Sequence, residues 1–260
     1  MKKTLLSLVA AATLAVPAFA QPARVRQLST TTQALNVEQL QTADQTVQLN
    51  RFLFAGYNTL CLPLSLSAQQ LQEAARDLRV ERLAAIAQEG STLNLYFVDC
   101  TADGIQAGVP YLVFSPTTQN LRARTSESMG VGTSLHPVTL SDQLGNRVSF
   151  SSSWQSLQGD GRYGIPAQQD VDVLESVLVR TTGDKTFLPT RCGFSWDAQA
   201  AGATDLVIQH AGSLAALPTG IREQLTETRQ GGAVYDLAGR KVNGAARGIV
   251  VVDGSKVAVK

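Results

Sequence analysis

The chain has few of the residues on which catalysis and metal binding most often depend. Its 260 residues include only two histidines and three cysteines. No C-x-x-C pair, phosphate-binding P-loop, H-E-x-x-H or calcium-loop pattern occurs. Because the cysteine and histidine spacing matches no zinc site, the sequence predicts neither a metal centre nor a cofactor.

The chain also has little excess of charge of either sign, few prolines and few long apolar runs. Charged residues make up 17% of the chain, as 22 basic and 21 acidic residues without basic clusters, which argues against nucleic-acid binding and a polybasic membrane surface. With 9 prolines and 44% hydrophobic residues, the composition is that of a folded globular protein. No stretch reaches the roughly 20 apolar residues of a membrane-spanning helix.

The N-terminus has the three parts of a secretory signal peptide. Lys2 and Lys3 precede an apolar run, Leu5–Val16, and the small-x-small site Ala18–Ala20 follows. We expect cleavage between Ala20 and Gln21. The mature chain then loses two lysines and holds 20 basic against 21 acidic residues, a net charge of −1.

Three cysteines remain after cleavage: Cys61, Cys100 and Cys192. Export permits a disulfide, but an odd number leaves at least one thiol unpaired in the monomer. The sequence does not choose among the three pairings. Three buried thiols packed as small apolar groups are an equal alternative.

The distribution of apolar residues predicts a mainly β fold, an antiparallel β-sandwich with one short helix and a small C-terminal β unit. Short apolar or alternating stretches separated by polar turns recur about every ten residues, as in sandwiches. They are Val47–Asn50, Thr59–Ser67, Val80–Gln88, Leu93–Asp99, Val109–Phe114, Leu121–Thr125, Pro137–Leu140, Arg147–Trp154, Val171–Arg180, Lys185–Trp196 and Asp205–His210.

The same pattern divides the chain into five parts. After the signal peptide (1–20) come a polar, flexible lead-in (21–45), the sandwich domain (46–210), a linker (211–232) and the C-terminal β unit (233–260).

Local signals add detail to the sandwich domain. Ser67 and Gln70 fit a capping box that opens a helix over 68–77. Because Pro63 cannot donate to a β ladder, the strand Thr59–Ser67 is expected to lie at a sheet edge or to carry a bulge. Glu89–Ser91 and Thr181–Asp184 have the composition of hairpin turns.

The C-terminal sequence is distinctive. It reads VYDLAGRKV at 234–242 and GIVVVDGSKVAVK at 248–260, and it resembles the C-terminal sorting domain of type IX (Por) secretion cargo. The resemblance implies passage through the periplasm, recognition by the secretion machinery, and display at the outer cell surface or release. The residues that match are Tyr235, Asp236, Gly239, Arg240, Gly248, Lys256 and Lys260.

Two departures separate this tail from the family. Val250 stands where the family usually has an aromatic residue, and the match covers only the last 28 residues, 233–260. The alternative is a pair of β-hairpins that belongs to the main fold.

Two short segments of the main block carry a second resemblance. GYNTLCLPL at 56–64 and AGVPYLV at 107–113 are similar to segments of uncharacterised surface proteins that carry such tails. That resemblance implies an adhesin-like β-sandwich and no catalytic residue.

Candidate ligand contacts are the aromatic residues that an exposed binding platform would need, with one polar residue in a turn. They are Tyr57, Trp154, Asp160, Tyr163 and Trp196. Trp154 and Tyr163 flank the turn around Asp160, where ligand contacts often lie. Burial of both tryptophans in the core is the alternative.

The sequence offers little catalytic chemistry. Gly159–Gly164 matches G-x-G-x-x-G, but Pro166 and polar residues follow where a dinucleotide site needs a helix, so we interpret it as a turn. The two histidines, His136 and His210, match no catalytic motif.

We therefore expect a secreted or cell-surface, non-enzymatic protein that binds a glycan or a protein. One alternative is a glycan-active hydrolase with a carboxylate pair; another is a structural envelope component. The carboxylates for such a pair would come from Asp160, Asp170, Asp172 and Glu175.

Overall fold

The computed structural model describes residues 25–30, 34–41, 46–125, 131–166, 176–197 and 202–222, and the backbone of three later strands. In chain order the strands are β1 (Val25–Ser29), β2 (Thr46–Leu53), β3 (Gly56–Leu60), β4 (Arg79–Glu89), β5 (Thr92–Asp99), β6 (Tyr111–Ser115), β7 (Gln119–Arg124), β8 (Val138–Ser141), β9 (Arg147–Ser152), β10 (Leu157–Gln158), β11 (Tyr163–Gly164), β12 (Val179–Arg180), β13 (Thr186–Phe187), β14 (Cys192–Asp197), β15 (Asp205–Ala211), β16 (Val234–Tyr235), β17 (Gly248–Val252) and β18 (Ser255–Val259). Helix α1 spans Ala68–Ala74, and 3₁₀ turns occupy Val37–Gln41, Thr101–Asp103 and Leu214–Ala216.

Two five-stranded sheets form a sandwich. The central sheet has the order β15-β5-β4-β6-β3, and the front sheet has the order β12-β11-β14-β9-β8. Their facing sides bury an aromatic cluster, in which Phe150 stacks on Phe194 at 4.3 Å and Phe97 meets Phe150 edge-on at 5.7 Å. The prediction of a mainly antiparallel β fold is confirmed.

A third layer covers the other face of the central sheet. A three-stranded back sheet, β1-β2-β7, and helix α1 enclose a leucine-rich core with this face. Leu60, Leu62, Leu64 and Leu66 all enter that core. The predicted alternation is therefore correct, although the regular strand ends at Leu60, shortly before Pro63, and β3 lies at the sheet edge as expected.

Helix α1 begins as the sequence predicts. The Ser67 side chain accepts a hydrogen bond from the Gln70 N–H, and the Gln70 side chain accepts one from the Ser67 N–H. The helix ends at Ala74 rather than 77, because Ala75 is extended and Asp77 has a φ of 54°. These turns bring Leu78 into the core.

One predicted hairpin is confirmed and another is wrong. β4 and β5 pair across Gly90, whose φ is 61°. The predicted hairpin around Thr181–Asp184 keeps its turn, with the Lys185 N–H bonded to the Thr182 carbonyl. Its arms do not pair with each other, since β12 pairs with β11 and β13 with β10.

The folded domain begins before and continues after its predicted limits, 46–210, and it contains two parallel strand pairs. β1 lies in the predicted flexible lead-in but pairs with β2, and β15 pairs with β5. After β15, Leu217 and Ile221 pack onto Tyr96 and Val98 of β5. The predicted linker over 211–232 therefore begins with residues of the core.

The C-terminal strands form a small antiparallel sheet of order β16-β17-β18. β17 and β18 pair as a hairpin, in which Gly248 lies opposite Val259. β16, which holds Tyr235, pairs with β17. Gly248 and Lys256 lie in β17 and β18; Asp236, Gly239, Arg240, Lys260, Ala20 and Gln21 lie outside the described residues.

The three cysteines are buried free thiols, so the structure contains none of the disulfides that the sequence allows. Burial raises the pKa of Cys61 and of Cys100 to about 12. Within the described ranges, no helix is long and apolar enough to cross a membrane, and no group of three metal-ligating side chains comes together.

Candidate functional site

A cleft of about 580 Å³ opens where β3 meets the loops of the front sheet. We call it the arginine cleft. Its cationic lining residues are Arg51, Arg180, Lys185 and Arg191. Its larger apolar lining residues include Phe54, Ile165, Val179 and Phe187. No described lining residue is acidic.

Arg51 is the most unusual member of this cleft. The residue is only 3% exposed. Its guanidinium donates to the carbonyls of Phe52 at 2.5 Å and Thr59 at 3.3 Å, and its Nε has no partner. Burial, and then the nearby charge of Arg191, lowers the pKa of Arg51 to about 9. A buried cation without a counter-charge is costly, so the site favours an anion.

Arg191 follows a strained turn. Thr190 is fully buried with a φ of 69°, a conformation that β-branched residues rarely adopt, and its hydroxyl has no partner. The turn closes through a hydrogen bond from the Arg191 N–H to the Leu188 carbonyl. The Nε of Arg191 is buried and unpaired, and burial lowers the pKa of its guanidinium. Such strain collects at functional sites.

The walls of the cleft are held by side-chain hydrogen bonds. The Thr59 hydroxyl donates to the Cys192 carbonyl at 3.1 Å and accepts from the Cys192 N–H at 2.8 Å, which ties β3 to β14. On the other side, the Thr181 hydroxyl donates to the carbonyls of Gly159 and Arg162. The predicted turn is present over 159–162, where the Arg162 N–H donates to the Gly159 carbonyl at 2.9 Å, and Tyr163 and Gly164 already belong to β11.

The rim of the cleft is solvated. Lys185 pairs with Asp184 at 3.2 Å, but both side chains are about two-thirds exposed, 67% and 66%. Exposed pairs of this kind contribute little, so Lys185 can still turn toward a ligand. Positive charge therefore extends from the interior to the mouth of the cleft.

A second cleft, of about 760 Å³, lies on the other side of Tyr57. We call it the serine–histidine cleft, because Ser176 and His210 line it. The Ser176 Oγ lies 2.6 Å from the His210 Nε2, and the His210 Nδ1 lies 2.5 Å from the Glu81 Oε2. Arg79 binds the other Glu81 oxygen at 2.9 Å.

Tyr57 separates the two clefts and lines both. Its ring stacks on His210, with centroids 4.4 Å apart, and its hydroxyl accepts a hydrogen bond from Arg79. Burial, followed by the Glu81 charge, raises the pKa of Tyr57. Among the described residues that the sequence suggested as ligand contacts, only Tyr57 lines both clefts, and at 8% exposed it is buried rather than part of an exposed platform.

The other aromatic residues predicted to contact a ligand do not form one platform. Trp154 and Trp196 are half-buried, and their indole N–H groups donate to the Thr133 carbonyl at 2.6 Å and the Asn146 side chain at 3.3 Å. Tyr163 lines the serine–histidine cleft. The tryptophans are thus occupied in structural contacts.

The predicted carboxylate pair has only one described member. Asp160 is exposed at the tip of its turn. Asp170, Asp172 and Glu175 lie outside the described residues.

Sequence reasoning missed Arg51 and Arg191, the two arginines of the arginine cleft whose Nε atoms are buried. A signal existed for Arg51: it continues the alternation of Val47 and Leu49 and so falls on the inward face of β2. Arg191 lies in a loop and has no comparable signal.

Comparisons with protein-family models, with curated proteins and with solved structures find no match for this chain.

Proposed function

We propose that this is a secreted or cell-surface binding protein, adhesin-like, whose arginine cleft binds an anionic group on a glycan or protein. The supporting observation is Arg51, a buried guanidinium that no described carboxylate neutralises. A carboxylate or sulfate on the ligand would supply the missing charge and accept the unused N–H donors. Charge-assisted, bidentate bonds of this kind are the strongest that arginine forms.

The rest of the lining favours a sugar as the carrier of that charge. Phe54, Phe187 and Ile165 offer apolar surface, and Asn58, Thr182 and Thr186 offer polar groups. Sugar rings present both kinds of surface. The cleft volume of about 580 Å³ falls within the roughly 300–1,000 Å³ range of small-molecule sites. We therefore favour an acidic glycan, with uronate or sulfate substituents, over a protein ligand.

The binding test uses an array that pairs each neutral glycan with its uronate or sulfated form. We expect the mature protein to bind the acidic members only. Arg191→Met should lower their affinity by about 30-fold or more, as loss of one partner of a buried charge pair does. Arg82→Met, at an exposed position on β4, is the matched control and should bind normally.

Equal binding of neutral and acidic glycans would contradict the proposal, as would unchanged affinity in Arg191→Met. An acidic peptide bound more tightly than every glycan would make the ligand a protein. No binding of either class would favour a structural envelope component.

Export and sorting are the second part of the proposal. The signal-like N-terminus and the resemblance of the last 28 residues, 233–260, to type IX sorting domains support passage through the periplasm to the cell surface. Deletion of 233–260 should leave the protein in the periplasm, measured by fractionation and surface labelling. Undiminished surface display of the truncated protein would reject this role for the tail.

A further inference from the structure

The serine–histidine cleft contains a nucleophile, a base and a carboxylate in hydrogen-bonded sequence. Glu81 as a carboxylate can only accept a hydrogen bond, so the His210 Nδ1 at 2.5 Å carries the proton. In the neutral ring the Nε2 then accepts a hydrogen bond from the Ser176 hydroxyl, whose Oγ lies 2.6 Å away. These are the ring nitrogens that a Ser-His-acid triad uses for the same two contacts.

The exposure of the three side chains, which increases from the acid to the serine, also suits catalysis. The Glu81 side chain is 3% exposed and that of His210 is 30% exposed. Ser176, at the open end, is half-buried and lines the cleft. The acid is thus shielded from water while the nucleophile can meet a substrate.

Two neighbours hold the histidine in place. Arg79 binds the Glu81 oxygen that His210 leaves free. Tyr57 stacks on the imidazole with an interplanar angle of 19°. A base whose tautomer and ring plane are both held is preorganised for proton transfer.

From this geometry we propose that the cleft is an acyl-hydrolase site, with Ser176 as nucleophile, His210 as general base and acid, and Glu81 as the positioning residue. The substrate class is a carboxylic ester with an apolar acyl group. Among the described residues only four large apolar side chains are exposed, and two of them, Val177 and Val207, line this cleft. Leu206 and Ile208 add to the apolar lining.

The reaction proceeds in two acyl transfers. The Ser176 Oγ attacks the ester carbonyl carbon as its proton passes to the His210 Nε2. The tetrahedral intermediate collapses, the bond to the alcohol oxygen breaks, and His210 gives that oxygen its proton. Water then attacks the acyl-serine and gives a proton to the His210 Nε2. The bond from the acyl carbon to the Ser176 Oγ breaks, His210 returns its proton to that Oγ, and the carboxylic acid leaves.

The N–H of the residue after the nucleophile commonly stabilises the oxyanion. Val177, in that position, lines the cleft. This activity departs from the sequence-based expectation of a non-enzymatic protein, and it does not depend on ligand binding in the arginine cleft.

The test treats the mature full-length protein with a fluorophosphonate probe and reads the site by peptide mass spectrometry. Hydrolysis of p-nitrophenyl acetate, butyrate and octanoate is measured in parallel. We expect labelling at Ser176 and loss of both labelling and turnover, by at least about 10³-fold, in Ser176→Ala. Ser141→Ala, at an exposed position on β8, should match the wild type.

His210→Gln should lose turnover to a similar degree, while His136→Gln, which changes the only other histidine, should not. Glu81→Gln should lower kcat by about 10²-fold or more with little change in KM, because it disturbs the tautomer and not the cleft. An unlabelled wild type, labelling elsewhere in the chain, or turnover that survives in Ser176→Ala would overturn the proposal. Unchanged glycan binding in these variants would show that the two sites are separate.

Discussion

The two clefts beside Tyr57 differ in whether their buried charged side chains have side-chain partners. In the serine–histidine cleft, the buried Glu81 has a partner on each oxygen, Arg79 at 2.9 Å and His210 at 2.5 Å. In the arginine cleft, Arg51 is equally buried but reaches only backbone carbonyls, and its Nε and that of Arg191 are unpaired. One site is electrostatically complete and the other is not.

The difference indicates whether each cleft gains stability by binding a ligand of opposite charge. A completed network stabilises the fold and holds its members in position, and removing one member leaves an uncompensated charge. An incomplete site already bears the cost of buried charge in the free protein, and it recovers that cost when a ligand brings the opposite charge. The first arrangement suits chemistry and the second suits recognition.

The largest expected loss of stability comes from a substitution in the network of Glu81, Arg79 and His210. Glu81→Ala removes the partner of both Arg79 and His210, and the free energy of unfolding should fall by about 2 kcal/mol, less than for a fully buried pair because Arg79 is 45% exposed. Urea denaturation followed by fluorescence or circular dichroism measures this change. A loss below about 1 kcal/mol would mean that the network contributes little to stability.

A substitution in the arginine cleft should change the free energy of unfolding by less, and it could raise or lower it. Arg191→Met removes a guanidinium for which no ion pair is seen among the described residues and whose Nε is unpaired. Its free energy of unfolding should therefore stay within about 1 kcal/mol of the wild type or rise. The same denaturation measurement applies. A loss as large as that of Glu81→Ala would remove the contrast between the clefts.

The smallest expected effect concerns Cys192, which lines the arginine cleft. Burial, followed by the nearby Cys61, raises the pKa of Cys192 despite the opposing effect of Arg51. At pH 8 a thiol of pKa about 12, as for Cys61, has a thiolate fraction on the order of 10⁻⁴. A chromogenic thiol reagent should find almost no reactive thiol in the native protein and all three after unfolding. Rapid native reaction, or fewer than three thiols in denaturant, would contradict the buried free thiols.

Local signals predicted much of the fold, because they involve residues close in sequence. The Ser67 and Gln70 capping box and the β4–β5 hairpin each depend on a few adjacent residues. The predicted hairpin at Thr181–Asp184 failed because turn chemistry fixes a turn but not the partners of its arms. The segment 157–164 supplied β10 and β11 as those partners instead.

The sites were less predictable than the fold. Tyr57 was named as a ligand contact, and Arg51 lies at an inward position that alternation could have identified. The Ser176–His210 and His210–Glu81 contacts join residues 34 and 129 positions apart. No short motif records such a contact, since its members need only a common place in space.

The amino-acid sequence alone determined the β character of this protein, its capped helix, its tightest turns and the apolar faces of its strands. These follow from periodicity and turn chemistry over a few residues. The tertiary structure decided which strands became neighbours, including the parallel pairs of β1 with β2 and β15 with β5. It thereby decided which buried charges were neutralised and which were not, because burial and pairing exist only after distant segments have packed.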